Sequence, residues 1–412
     1  MDQLLRMHAD QIIKASITAV LPDEAVKRAL DGQKFPGRVL LVSAGKAAWQ
    51  MAKAAYDFLG DRIDNGVVVT KYDHVIGPIG NFSCFEAGHP VPDENSFAGT
   101  QAALDLVADL TEQDTVLFLL SGGGSALFEK PLVSGEVLQD VTAQLLACGA
   151  DIVEINTIRK RLSAVKGGRF AQHCAPAKVF SIVLSDILGD PLDMIASGPA
   201  VPDTSTCEEA MAIAKKYNLN MPESAWALLS QETPKELGND VTTQINGSVR
   251  ELCVAAAAAC RELGYAPILL TDQLCCQAKE AGSFLASVLK THAGSGKNLA
   301  FLAGGETVVQ LTGNGKGGRN QELALAAAVG ISGIPGAAVF SVGSDGTDGP
   351  TDAAGGYADY TTAGELMAQG IEIFNVLKQN DAFHALEKVG GLVYTGPTGT
   401  NVNDVAVALL RG

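Results

Sequence analysis

RVLLVSAGKAAWQMAKAAYDFLG, residues 38–60, decides the fold. The apolar run 39–44 reads as a buried strand, Gly45 as the turn that ends it, and the small and apolar residues beyond as a helix. The same succession recurs at TVLFLLSGGGSAL (115–127), VFSIVLSD (179–186), NLAFLAGGETVVQL (298–311) and AAVFSVGSD (337–345). Strand-like runs alternating with helical segments predict an α/β chain of βα units with mostly parallel sheets. At 412 residues the chain exceeds one core, so two domains are expected. The polar stretch QETPKELGNDVTT (231–243) places their boundary, giving 1–235 and 240–412, with TQING restarting the rhythm in the second domain.

Composition excludes several function classes. A net charge of −16 and a pI near 4.8 leave no basic face for nucleic acid and no attraction to an anionic membrane surface. No apolar run approaches the ~18 residues a transmembrane helix needs. MDQLLRMHADQIIKASITAV (1–20) carries charges between apolar residues at helical spacing, an amphipathic surface helix rather than a signal peptide. Eight cysteines without a C-x-x-C pair suggest neither zinc nor a disulfide framework, so reduced thiols and a cytoplasmic location are expected. Asn246 in NGS matches a glycosylation pattern by accident on this reading.

Candidate chemistry collects after the strands, where α/β folds place their ligands. In SGGGSAL, Ser121, Gly122, Gly123, Gly124 and Ser125 could curl to aim amides and hydroxyls at a phosphate, more glycine than one tight turn requires. Lys46 stands directly after a strand-ending glycine but outside any Walker pattern. In NTIRKRLSAVKGGRF (156–170), Arg159 and Lys166 would share a helical face and suit an anionic substrate, although a solvated face explains some of the five cations. In VLSDILGDPLDMIASGP (183–199), Asp186 and Asp190 could hold Mg²⁺ or accept a hydroxyl proton, with Asp193 closer to an ordinary turn carboxylate. Glu306 in AGGETVV and Asp345, Thr347 and Asp348 in SVGSDGTDGPTDAAGG present polar groups to a nucleotide or metal. His89, before a proline, reads first as a turn residue.

QLTGNGKGGRNQELALAAAV (310–329) matches a dinucleotide fingerprint on Gly313, Gly315 and Gly318. Arg319 and Asn320 follow at once, so close packing is not expected at the third glycine. No acidic residue lies between Glu322 and Asp345, where a ribose acceptor would stand. The loop reads instead as a cationic phosphoryl site in which Gly315, Gly317, Gly318 and Asn320 surround phosphate and Lys316 and Arg319 supply charge.

SGGGSALFEKP, EINTIRKRLSAVKGGRFA, LSDILGDPLDMIASGPAVPD, GGETVVQLTGNGKGGRNQELALAAA and GSDGTDGPTDAAG, in this order, resemble the type II glycerate kinases, the glycerate 2-kinase family. The resemblance covers nearly the whole chain. It implies ATP- and Mg²⁺-dependent phosphorylation of D-glycerate to 2-phosphoglycerate, in an active-site cleft between two Rossmann-like three-layer domains. It also implies that Lys46 and Arg319 are the leading catalytic cations. Two rival readings are an NAD(P)H-dependent reductase of hydroxypyruvate or tartronate semialdehyde, and a non-catalytic domain binding a sugar phosphate. A homo-oligomer is left open.

Overall fold

Val39–Ala44, buried at every position, forms β1 in the middle of a six-stranded sheet in the computed structural model, which describes residues 1–412. Around it lie β2 (Ile63–Lys71), β3 (Ser83–Ala87), β4 (Thr115–Leu120), β5 (Lys178–Leu184) and β6 (Val241–Gly247), in the order β3-β2-β1-β4-β5-β6. The pairs β1/β2, β1/β4, β2/β3 and β4/β5 are all parallel. The chain thus leaves β1 in one direction for β2 and β3, then returns to its other side for β4. That reversal opens a crevice at the carboxyl ends of β1 and β4.

Period-2 alternation builds two cores on this sheet. Val42, Val67, Val116 and Phe118 face one core with Phe128 and Phe170, while Leu41, Val68, Leu117 and Ile182 face the other with the helix Ala48–Leu59. The result is a three-layer unit spanning Pro22–Asn246.

A second unit comprises Met1–Leu21 and Gly247–Gly412. Its strands are β7 (Ala266–Leu274), β8 (Leu299–Gly305), β9 (Ala337–Gly343), β10 (Gly355–Asp359), β11 (Leu392–Val393) and β12 (Asp404–Leu410), ordered β11-β10-β9-β12-β8-β7. Leu302, Phe340 and Val407 pack against the helices Gln3–Ala19 and Val249–Glu262. Phe301, Val339 and Ala408 pack against Ala278–His292 and Arg319–Ile331.

Three expectations change. The second sheet is not mostly parallel: only β7/β8 is, and β12 runs antiparallel to both β8 and β9. The amphipathic first helix belongs with the second unit, because its apolar face completes that unit's core. Residues 241–247, assigned to the second domain, form the edge strand β6 of the first sheet instead. No helix is long and apolar enough to cross a membrane.

Candidate active site

Successive strand ends of the first sheet each deliver one element of the site. Gly45 closes β1, and the next two amides staple β1 to β4: Lys46 N–H donates to the Gly122 carbonyl (2.9 Å) and Ala47 N–H to Ser121 Oγ (3.0 Å). Gly123 turns left-handed at φ +84°, a conformation that favours glycine. A Cβ there would lie 3.1 Å from both Lys46 Cγ and His89 Nε2, so these two side chains flank the turn. A Cβ on Gly122 would overlap the carboxylate of Asp186, which follows β5. Lys46, the triglycine turn and Asp186 therefore converge at the crevice. In the loop beyond, Asp190 adopts φ +53° and its Oδ1 is buried without a hydrogen-bond donor. An orphaned, buried carboxylate oxygen is a donor of the kind that fits Mg²⁺, which takes one or two carboxylates and fills its remaining positions with water and phosphate oxygens.

The predicted substrate cations, Arg159 and Lys166, lie against the inner side of the triglycine loop. Lys166 is fully buried, and its Nζ donates to the carbonyls of Ser125 (2.9 Å) and Phe128 (3.0 Å) beside the Glu129 carboxylate (3.4 Å). Burial first, then Arg159, push it down to about 8 against the pull of Glu129. Arg159 also donates to Ser125 O, at 2.8 Å. Both thus brace the triglycine loop from within, and a lysine sealed from solvent cannot meet a substrate there. Lys160 and Arg161 are buried on Asp203. The cationic run is an interior ion network rather than a solvated face. Ser121 and Gly124 are buried as well, so the exposed part of the loop is Gly122, Gly123 and the Ser125 side.

In the second unit, Arg319 opens its helix and is held flat. Its Nε and NH2 donate to the two oxygens of Asp404 (2.6 and 3.0 Å), and its NH1 donates to Glu306 (2.9 Å). The paired carboxylates raise the guanidinium further above its ordinary value despite burial. Burial holds Asp404 above the usual carboxylate range while Arg319 pulls the other way. Asp404 went unforeseen because a parallel sheet was expected. Since β12 is antiparallel, its first residue stands opposite the last residues of β8 and β9, Gly305 and Gly343.

The glycine-rich loop is not an open phosphate cradle. Asp348 accepts from the amides of Asn320 (3.1 Å) and Gln321 (2.9 Å), so the helix N-terminus already holds a carboxylate. Gly318 is glycine because Asp348 occupies the space a Cβ would need, which restores the close packing the sequence reading denied it. Asn320 is itself buried, donating to Asp348 and accepting from Ser341. Gly315 donates to Gln379 O (2.8 Å), Lys316 to Asp381 Oδ1 (2.9 Å), and Gly317 lies against Asn380 and Ala382. The Lys316 ammonium sits 4.0 Å from the Phe383 ring centroid. Glu306, Asp345 and Thr347 keep accessible surface, Asp345 accepting from the Thr347 amide at 2.9 Å.

Fold and site together define an α/β protein whose charged and polar groups gather at the strand ends, where such folds bind ligands. Residues 8–230 match the family described as a domain of unknown function, DUF4147, and residues 299–404 match the MOFRL family. The chain is 54% identical over 412 residues to a D-glycerate 2-kinase from Thermotoga maritima, covering 98% of each. A crystal structure of glycerate kinase from the same organism superposes with a TM-score of 0.94 at 52% identity, covering 99% of this chain and 100% of that one. A relative from Agrobacterium vitis named putative hydroxypyruvate reductase is 38% identical, over 97% of this chain and 93% of its own. The chain belongs to the glycerate 2-kinase family.

Proposed function

We propose that this protein transfers the γ-phosphoryl group of ATP to the 2-hydroxyl of D-glycerate, yielding 2-phospho-D-glycerate and ADP. The observation that carries the reading is the convergence of Lys46, the triglycine turn and Asp186 at the reversal point of the first sheet. Lys46 neutralises charge on the transferring group, and Gly122 and Gly123 let the backbone approach it closely. Asp186 and Asp190 would hold Mg²⁺, which shields phosphate charge when bound. In the second unit Arg319, its plane fixed by Asp404, is the cation an anionic ligand would meet, with Glu306, Asp345 and Thr347 as further accessible polar groups of that unit. Eight free thiols suit a reducing cytoplasm.

The reductase reading has a specific obstacle. The position where a dinucleotide pyrophosphate would meet the helix N-terminus holds the Asp348 carboxylate, and like charges repel there. Incubation of the purified protein with ATP, Mg²⁺ and D-glycerate should yield ADP and 2-phosphoglycerate. NADH oxidation with hydroxypyruvate and no phosphorylated product would reverse the assignment.

A further inference from the structure

His89 stands at the crevice without a task in the proposed function. It follows β3, so the edges of β3, β2, β1, β4 and β5 carry in spatial order His89, Lys71, Lys46, the triglycine turn and Asp186. Its ring edge rests on Gly123: a Cβ there would lie 3.0 Å from His89 Cδ2 and 3.1 Å from Nε2, with Lys46 Cγ equally near. The ring is half-buried and neither nitrogen makes a hydrogen bond; His8, His74, His173 and His384 each have a partner, and His292, which has none, stacks on Phe301 away from the crevice. A half-buried imidazole with an idle nitrogen beside a candidate phosphoryl-binding turn is placed for a ligand.

We propose that His89 is a catalytic residue of the phosphoryl transfer, taking the proton of the attacking substrate hydroxyl; this rests on the kinase reading above. As the C2 oxygen bonds to the γ-phosphorus, its O–H electrons remain on that oxygen and the proton moves to the imidazole. The bond from the γ-phosphorus to the bridging oxygen breaks, and ADP leaves with that electron pair. The imidazolium returns its proton to water before the next turnover. The charged groups that bear on the ring are Lys46 and Lys71, with Asp186 across the triglycine turn. Burial, then Lys46, then Lys71 hold the ring below its ordinary value, which favours the neutral form that can accept a proton. The aspartates are then left to the metal.

The test compares wild type with His89→Gln, which keeps hydrogen-bonding capacity but cannot accept the proton. Expected is a loss of about 10²–10⁴ in kcat, disappearance of the acid limb of the pH–rate profile, and an unchanged Kd for ATP by calorimetry. The ¹³C-labelled ring signals of wild-type His89 should shift on adding D-glycerate. If wild type forms phosphoglycerate and His89→Gln matches its kcat or keeps the acid limb, the role of His89 falls and the kinase reading stands. If wild type forms none, the kinase reading falls and takes this role with it.

Discussion

Arg319 commits two guanidinium nitrogens to Asp404 and the third to Glu306, so its removal should do two separable things. Arg319→Ala is expected to lower kcat by about 10²–10³ through lost charge stabilisation. It should also cost about 3–5 kcal/mol, because the buried Asp404 carboxylate is left unpaired. The double variant Arg319→Ala/Asp404→Asn should regain most of that stability in urea melts without regaining turnover. A single variant that keeps wild-type turnover sinks the catalytic assignment, and a double variant as unstable as the single one sinks the pairing account. The place of Arg319 at the start of a helix directly after glycines was legible in the sequence. Asp404 was not, being 85 residues away and recognisable only once β12 is known to run backwards. Lys166 was legible as a cation near the site but not as a buried one, since periodicity gives the face of a helix and not what covers it.

The helix Arg319–Ile331 shows the same limit one level up. A capping aspartate is sought just before its helix, but here Asp348 comes from 28 residues later, beyond β9, to take the Asn320 amide. Burial raises Asp348 from 3.8 to about 6, outweighing the amides that favour its charged form. A raised acid contributes stability below its unfolded value and loses it as pH rises through the folded one, here between about pH 4 and 6. The gap is worth about 3 kcal/mol. Asp348→Asn removes the titration and keeps one acceptor, so its stability relative to wild type should improve by about that amount from pH 4 to pH 7. Urea denaturation across that range reads it, and a difference flat with pH contradicts it. Strand direction had a readable sign that periodicity hides. Only 11 residues without a helix separate β9 from β10, and 10 separate β11 from β12, too little for a parallel crossover.

At the scale of the whole chain, alternation of strand and helix was enough to predict two layered α/β units, because βα rhythm is local. Their membership was not local. An amphipathic segment shows that it will dock and not where, and the helix Gln3–Ala19 docks on a core built from residues after 247. Leu5, Ile12, Ile13 and Ile17 are buried there, Asp2 N–H donates to Asp359 (2.6 Å), and Arg6 donates to the carbonyls of Gly390 (3.0 Å) and Leu392 (3.1 Å). At about 2 kcal/mol per buried aliphatic side chain the four contribute about 8 kcal/mol as an upper figure. That is comparable to the whole stability of a domain, roughly 5–15 kcal/mol. Residues 22–246 expressed alone should therefore fold and melt cooperatively. Residues 247–412 alone should show no cooperative melt, and a synthetic peptide of residues 1–21 should bind them saturably and restore one. A fragment 247–412 that melts cooperatively without the peptide, at the midpoint it shows with it, would show that the first helix decorates this core rather than completing it.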